Sequence, residues 1–365
     1  MLNLREFQKK PDKLTDYLPW AAFVAPGVVL NKDGSFQRSY AFRGPDLESA
    51  TPAELISITA RLNNAVKRLS GGWAIYAEAQ RVKSQDYPDS DFPDTVTALI
   101  DEERRGFFSV GNHYESLYYL TLLFLPPAEQ HARIEKAFIE RGRGYEKEQE
   151  TYEAHLKTFL TESDRISSLL SELLPEARPL TDSETLTYLH SCVSPKRHPV
   201  RAPEIPMYLD ALLADTALIS GFEPRLGEHH LRVISIMGFP GISVPGIFDN
   251  LNRLNFEYRW VTRFIPLDKR EALSEIGRYR RQWWAKRKGI MTLIKETVTQ
   301  TESAMVDNDA MNKAGDADAA LQEVADDAVS YGYILRRLSC GTWMFSLCRR
   351  RSGLLKRRST AWALR

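Results

Sequence analysis

An apolar run over residues 22–30, the polar turn Asn31-Lys32-Asp33-Gly34-Ser35 and an alternating run over residues 36–42 force a β-hairpin near the start of the chain. Asp-Gly supplies the positive-φ positions of a tight turn, and strands joined this closely can only pair antiparallel. Similar signals recur downstream, separated by helical stripes. Thr51-Pro52-Ala53-Glu54 is a capping box with proline in the first helical turn. Leu55, Ile58, Leu62, Val66 and Leu69 follow at helical spacing. Gly71-Gly72 ends that helix before a strand over residues 73–82. A helix is expected over 92–108 and a buried strand over 117–125, closed by Pro126-Pro127. Residues 128–174 read as charged and helical, with Gly142 and Gly144 as breakers, and Pro175 and Pro179 mark a boundary.

The second half repeats the alternation. Thr181 and Glu184 begin a helix, residues 198–203 form a loop, and strands are expected over 231–237 and 256–264 with a helix over 244–254 between them. Asp268 and Glu271 start a helix that Gly289 stops, and residues 290–330 look helical with a polar interruption around 307–318. The fold class is therefore α+β, with largely antiparallel sheets and long helices. Two α/β subdomains are expected, residues 1–175 and 176–334, followed by a tail over 335–365.

Charge separates that tail from the rest. The chain carries 49 Lys and Arg against 48 Asp and Glu, a net of +1, which argues against a nucleic-acid protein that works through bulk positive charge. Residues 335–365 hold nine of those cations and no acid, so the body is left with 40 basic against 48 acidic residues. At 43% hydrophobic and 27% charged residues the chain is an ordinary globular mix, which excludes global disorder. Three cysteines are too few for a disulfide framework and favour a reducing compartment. The N-terminus is polar and mixed in charge, unlike a secretory signal. The apolar runs over 20–30 and 117–125 are too short to span a bilayer, so membrane association is expected to be peripheral or through a partner.

A nucleotide-binding P-loop needs Gly-x-x-x-x-Gly-Lys-Ser/Thr, whose backbone amides cradle phosphates and whose lysine reaches their outer oxygens. None of the 20 glycines is followed by lysine, so the chain contains no Walker A motif. Residues 96–102, VTALIDE, imitate a Walker B strand but are expected on a helix. Gly238, Gly241 and Gly246 follow a strand and precede a helix, but two prolines among them remove amide donors, which favours a structural turn. His190, Cys192 and His198 match no zinc spacing, and adjacent His229 and His230 would point to opposite faces of a strand. No catalytic, cofactor or metal residue is assigned. One basic stretch with interleaved aromatics does suit a partner or a membrane surface: Arg278, Arg280, Arg281, Lys286, Arg287 and Lys288. On the plainer reading, Ala272, Ile276, Tyr279 and Trp283 face a core while the cations are solvated and complement the helix C-terminus.

Several long stretches carry a family resemblance. They are residues 4–47 (LREFQKKPDKLTDYLPWAAFVAPGVVLNKDGSFQRSYAFRGPDL), 50–81, 115–127 (ESLYYLTLLFLPP), 181–194 (TDSETLTYLHSCVS) and 234–268 (ISIMGFPGISVPGIFDNLNRLNFEYRWVTRFIPLD). GRYRRQWWAKRKG at 277–289 and a segment ending in SYGY at 330–333 continue them. The chain resembles the TrbE/CagE/VirB ATPases of type IV secretion, and is TrbE-like over residues 1–333. The resemblance implies the N-terminal scaffold and interaction region of a conjugal-transfer ATPase that drives pilus assembly and DNA or protein transfer. It implies ATP and Mg as cofactors of the full-length family, with none in this chain, whose RecA-like motor domain is absent. Other inner-membrane secretion components are the implied partners, with homo-oligomers in the full-length family, nucleic acid reached only indirectly, and a cytoplasmic position peripheral to the bacterial inner membrane. The alternative is an autonomous interaction module docking on inner-membrane channel components. After SYGY the family continues in an apolar strand that residues 335–365 do not resemble. That tail is read as frameshifted and disordered, leaving an unpaired strand edge where the family's next strand would lie.

Overall fold

The structure is a computed structural model that describes residues 12–46, 49–84, 87–109, 113–127, 145–236, 248–286 and 308–342. It is a mixed α/β fold with antiparallel strand pairing. In chain order the elements are α1 (Leu14–Tyr17), β1 (Trp20–Ala25), β2 (Val28–Asn31), β3 (Phe36–Arg43), α2 (Pro52–Val66), β4 (Trp73–Lys83), α3 (Thr95–Ser109) and β5 (Tyr114–Phe124). Then come α4 (Tyr145–Leu173), β6 (Glu176–Pro179), α5 (Asp182–Val193), α6 (Leu209–Leu213), β7 (Leu218–Ile219), β8 (Arg225–Leu226) and β9 (His229–Ser235). A 3-10 turn at Asp249–Arg253 precedes β10 (Tyr258–Pro266), α7 (Lys269–Lys286), α8 (Asn308–Ala325) and β11 (Gly332–Thr342).

Among the described residues the strands form one sheet in the order β1-β2-β3-β5-β4-β10-β11-β9-β8-β7, with β6 added beside β3. The registers of β1–β2, β2–β3, β3–β5, β3–β6, β7–β8, β8–β9 and β9–β11 are all antiparallel. The expected hairpin is there, and it contains one more strand than the sequence suggested. Residues 22–30 divide at Pro26-Gly27, where Gly27 takes φ +68°, so β1 folds back on β2. Pro-Gly is a standard turn pair because proline presets the first φ and glycine accepts the left-handed one. Gly27 also donates its N–H to Asp182 at 2.6 Å, tying this turn to the first residue of α5.

Strand β3 shows why both faces of this region are covered. Phe36 and Tyr40 are buried and face α4: Phe36 stacks on Phe159 at 5.8 Å and the Tyr40 hydroxyl donates to the Ser163 carbonyl at 3.2 Å. Ala41 packs on the other side, within the cluster that joins Trp20 and Val29 to Leu186 and Leu189 of α5 and Leu209 and Leu213 of α6. The period of two along the strand thus feeds two helical layers.

By contacts the described chain groups into two compact units. One draws on residues 12–58, 74–263 and 335–342, and the other on residues 59–73 with 264–334. This is not the expected division at residue 175. Pro175 and Pro179 bracket β6, which pairs with Phe42 and Arg43 of β3, and the helices that follow add to the core cluster of β1 and β2. A proline is tolerated in an edge strand because its missing N–H need not face a partner. The expected interruption of the helix around 307–318 is likewise replaced by α8, which runs through Asp318; its alanines favour helix, and Ala314 and Ala317 are buried.

Residues 335–342, expected in a disordered tail beside an unpaired edge, are instead the C-terminal part of β11. Arg337 to Thr342 pair with Ser235 to His230 of β9, so β11 fills the slot between β10 and β9. Ladder bonds use only backbone groups, so any β-compatible sequence can close an open edge. Residues 343–365 lie outside the described residues, as do Gly238, Gly241 and Gly246.

Candidate interaction surface

The basic-aromatic stretch singled out in the sequence falls on α7, which opens the longer segment of the second unit. Asp268 accepts the Ala272 N–H at the start of this helix and, through its carboxylate, the Gly71 N–H at 2.7 Å. Helix α8 packs alongside. Ala314 and Ala317 are buried there, and small residues at such a seam let helix backbones approach closely. Arg280 reaches Asp318 of α8 at 2.7 Å, Lys313 lies 4.3 Å from the centre of the Trp283 ring, and Tyr279 meets Trp283 edge-on at 5.8 Å. Lys269 donates to the Ala325 carbonyl and to Asp327, both at 2.8 Å, placing a cation at the C-terminal end of α8, where the helix dipole favours it.

These contacts sort the six expected cations. Arg280 is committed to α8. Arg278 is exposed and ion-pairs with Glu275 one turn back, and Arg281 is exposed. The Lys286 side chain, Arg287 and Lys288 lie outside the described residues. The outward face therefore consists of Arg278, Arg281 and the exposed Trp284, which recur every three residues. Trp284 was part of the motif, but helical spacing alone did not separate it from the inward Trp283. The expected core stripe is only partly a core. Ala272 is buried, whereas Tyr279 is half exposed and lines, with Ile276, Ala317, Tyr331 and Tyr333, an open cleft of about 470 Å³. Gly332, the glycine of SYGY, is required here: a Cβ at this position would run into the Ile265 carbonyl and the Phe264 ring.

The first unit holds a buried polar centre that no local pattern announces. Glu78 of β4 is 5% exposed. It accepts from the Tyr188 hydroxyl of α5 at 3.0 Å and is paired with Arg259 of β10. Arg259 also donates to the Ser191 carbonyl and, at 2.9 Å, to the Cys192 sulfur. Gln80 bridges Ser191 and Arg197 at 3.2 and 3.1 Å. Burial pushes the Tyr188 hydroxyl well above its ordinary pKa, so it stays a donor, and removal from water also raises the Cys192 thiol. A thiol held neutral is a poor nucleophile, and every carboxylate and guanidinium here is already partnered, so the cluster is a clamp joining β4, β10 and α5.

His190 and His198 do come together, with rings 4.6 Å apart, but the third group at His190 is Asp215 at 3.2 Å, which also binds Lys196 at 3.1 Å. Desolvation works against the Asp215 charge, yet hydrogen bonds from Thr216, Ser194, Lys196 and His190 hold its carboxyl below the usual range. No group of three or more His, Cys, Asp or Glu among the described residues could hold a metal ion. The VTALIDE segment lies on α3, as expected, and not on a strand. A second cleft of about 950 Å³ is lined by strands β3, β5 and β6 and helix α5. It presents Glu115, Glu176 and Glu184 against Arg43 and Arg178, and Arg178 is already engaged by Glu184 at 2.9 Å. That balance disfavours an anionic nucleotide.

The chain is similar to known proteins along most of its length. The sequence model of the type IV secretion system ATPase VirB4/TrbE N-terminal domain matches residues 27–132. That of the CagE, TrbE, VirB family, component of type IV transporter system, matches residues 170–330. The conjugal transfer protein TrbE of Rhizobium radiobacter is 33% identical over 91% of this chain and 42% of its own length. A short probable conjugal transfer protein TrbE of Sinorhizobium fredii (strain NBRC 101917 / NGR234) is 37% identical over 40% of this chain and 99% of its own length. The type IV secretion system protein virB4 of Brucella suis biovar 1 is 22% identical over 74% of this chain and 34% of its own length. The chain thus spans less than half the length of the TrbE and virB4 relatives that it matches along most of its own length.

Proposed function

The chain belongs to the TrbE/VirB4 family of type IV secretion components, and from that membership we infer that it is the N-terminal scaffold and interaction region of a conjugal-transfer machine. The observation that carries this reading is the continuous alignment with TrbE over 91% of the chain. Its partners are other inner-membrane components of the secretion channel, and its position is at the cytoplasmic face of that membrane. No helix among the described residues is long and apolar enough to cross a bilayer, so the reading relies on surface contact, for which Arg278, Arg281 and Trp284 offer a basic-aromatic face.

In this reading ATP and Mg belong to the full-length family, and this chain does not hydrolyse ATP. Support comes from the 20 glycines, none followed by lysine, and from the acid-rich lining of the larger cleft. Equilibrium binding of labelled ATP to the purified chain, with and without Mg²⁺, tests it. No saturable binding is expected, and saturable Mg²⁺-dependent binding at one site per chain would sink the claim.

A further inference from the structure

Helix α3 is amphipathic and carries its apolar stripe outward. Its half-buried positions are Ala98, Asp101 and Arg105. They hold it to the chain: the Tyr87 hydroxyl donates to Asp101 at 2.7 Å, and Arg105 bonds Asp89 at 3.1 Å while lying over the Tyr87 ring. On the other side Val96, Leu99, Ile100 and Phe107 are 64, 58, 53 and 65% exposed. With Glu103 they follow the three- and four-residue spacing of a helix–helix seam, and no residue of α3 is buried. Four large apolar side chains aligned in water on a folded unit mark a contact surface.

The charge order identifies what covers it. Along the stripe the residues are apolar (Val96, Leu99, Ile100), acidic (Glu103), basic (Arg104) and apolar (Phe107). Reversed, this order complements itself: apolar end lies on apolar end, and Glu103 meets Arg104. A parallel copy would instead set Glu103 against Glu103 and Arg104 against Arg104, which is repulsive. An anionic bilayer is disfavoured, because helices that lie on such surfaces are rich in Lys and Arg, whereas α3 carries Asp101, Glu102 and Glu103 against two arginines. We propose that α3 is a self-association site that pairs antiparallel with α3 of a second copy of this chain across a two-fold axis. Two stripes of this length bury an area at the low end for specific interfaces, so the dimer is weak and depends on concentration.

Sedimentation velocity of the full chain over a concentration series tests the proposal. A reversible monomer–dimer equilibrium is expected for the wild type, with monomer alone for Ile100→Asp. Glu103→Arg weakens association by about tenfold, since two like-charge pairs replace two attractive ones. The double variant Glu103→Arg/Arg104→Glu restores complementarity in the opposite order and recovers the dimer. All three positions are exposed, so each variant keeps the wild-type circular dichroism spectrum. The proposal is overturned by a wild type that is monomeric throughout, by association indifferent to Ile100→Asp or Glu103→Arg, or by a double variant as weak as the single one. Stripe-dependent flotation with anionic vesicles by a chain that does not self-associate overturns it as well.

Discussion

Arg259 satisfies four groups at once, and its removal strands a charge. In an Arg259→Met variant Glu78 stays 5% exposed and keeps the Tyr188 hydroxyl as its donor, without a cation to balance it. Breaking a buried pair from one side costs about 3 kcal/mol. Urea denaturation should show that loss, and Glu78→Gln added to Arg259→Met should recover part of it. A wild-type midpoint for the single variant would show that no clamp operates here. Glu184 gives the pH counterpart. The Arg178 guanidinium, then the Thr181 backbone N–H, pull its carboxyl from 4.5 down to about 2. A depressed carboxylate stabilises the fold above its unfolded pKa and loses that contribution as pH falls through the folded value. Glu184→Gln should therefore be less stable than wild type at neutral pH, with the gap closing between pH 4.5 and about 2; a gap independent of pH would contradict the assignment. Thr181 and Glu184 were legible in the sequence because three residues separate them. Glu78 and Arg259 were not, because 181 residues separate them and no local pattern links a strand to a partner that far away.

At the scale of elements, local signals located most helices and strands, and what they missed was direction. The stripe at Ala272, Ile276 and Tyr279 was legible as one face of α7, yet only packing shows that it faces α8 and an open cleft. For α3 the apolar spacing points that side inward by default, while the structure anchors the opposite side through Asp101 and Arg105. The Pro26-Gly27 turn was present in the sequence but hidden inside an apolar run, where strand character outweighed the turn pair. The α7–α8 seam rests on small side chains, so Ala317→Leu should overpack it and destabilise the second unit by about 2 kcal/mol. Thermal denaturation followed by circular dichroism would show this as a lowered midpoint. The exposed Arg280–Asp318 pair should contribute less than about 1 kcal/mol, because solvent screens it.

Across the whole molecule the sheet joins segments that the sequence kept apart. Expecting two consecutive subdomains was reasonable from the prolines near residue 175, but strand order is set by which backbone edges meet, and composition does not encode that. The same cause explains β11. Its last residues looked foreign by charge, yet Arg337 to Thr342 pair along β9. Removing residues 335–365 should thus expose strand edges and lower solubility, read as increased light scattering at fixed concentration; an equally soluble truncated chain would show that this pairing is dispensable. If the chain is the docking region of a conjugal-transfer machine, affinity capture with the full chain should retrieve its partners. Captures are made from inner membranes of cells with and without a conjugative type IV system and quantified by mass spectrometry. Inner-membrane channel components should be enriched only when the system is present. Equal recovery from both membranes would contradict a docking role.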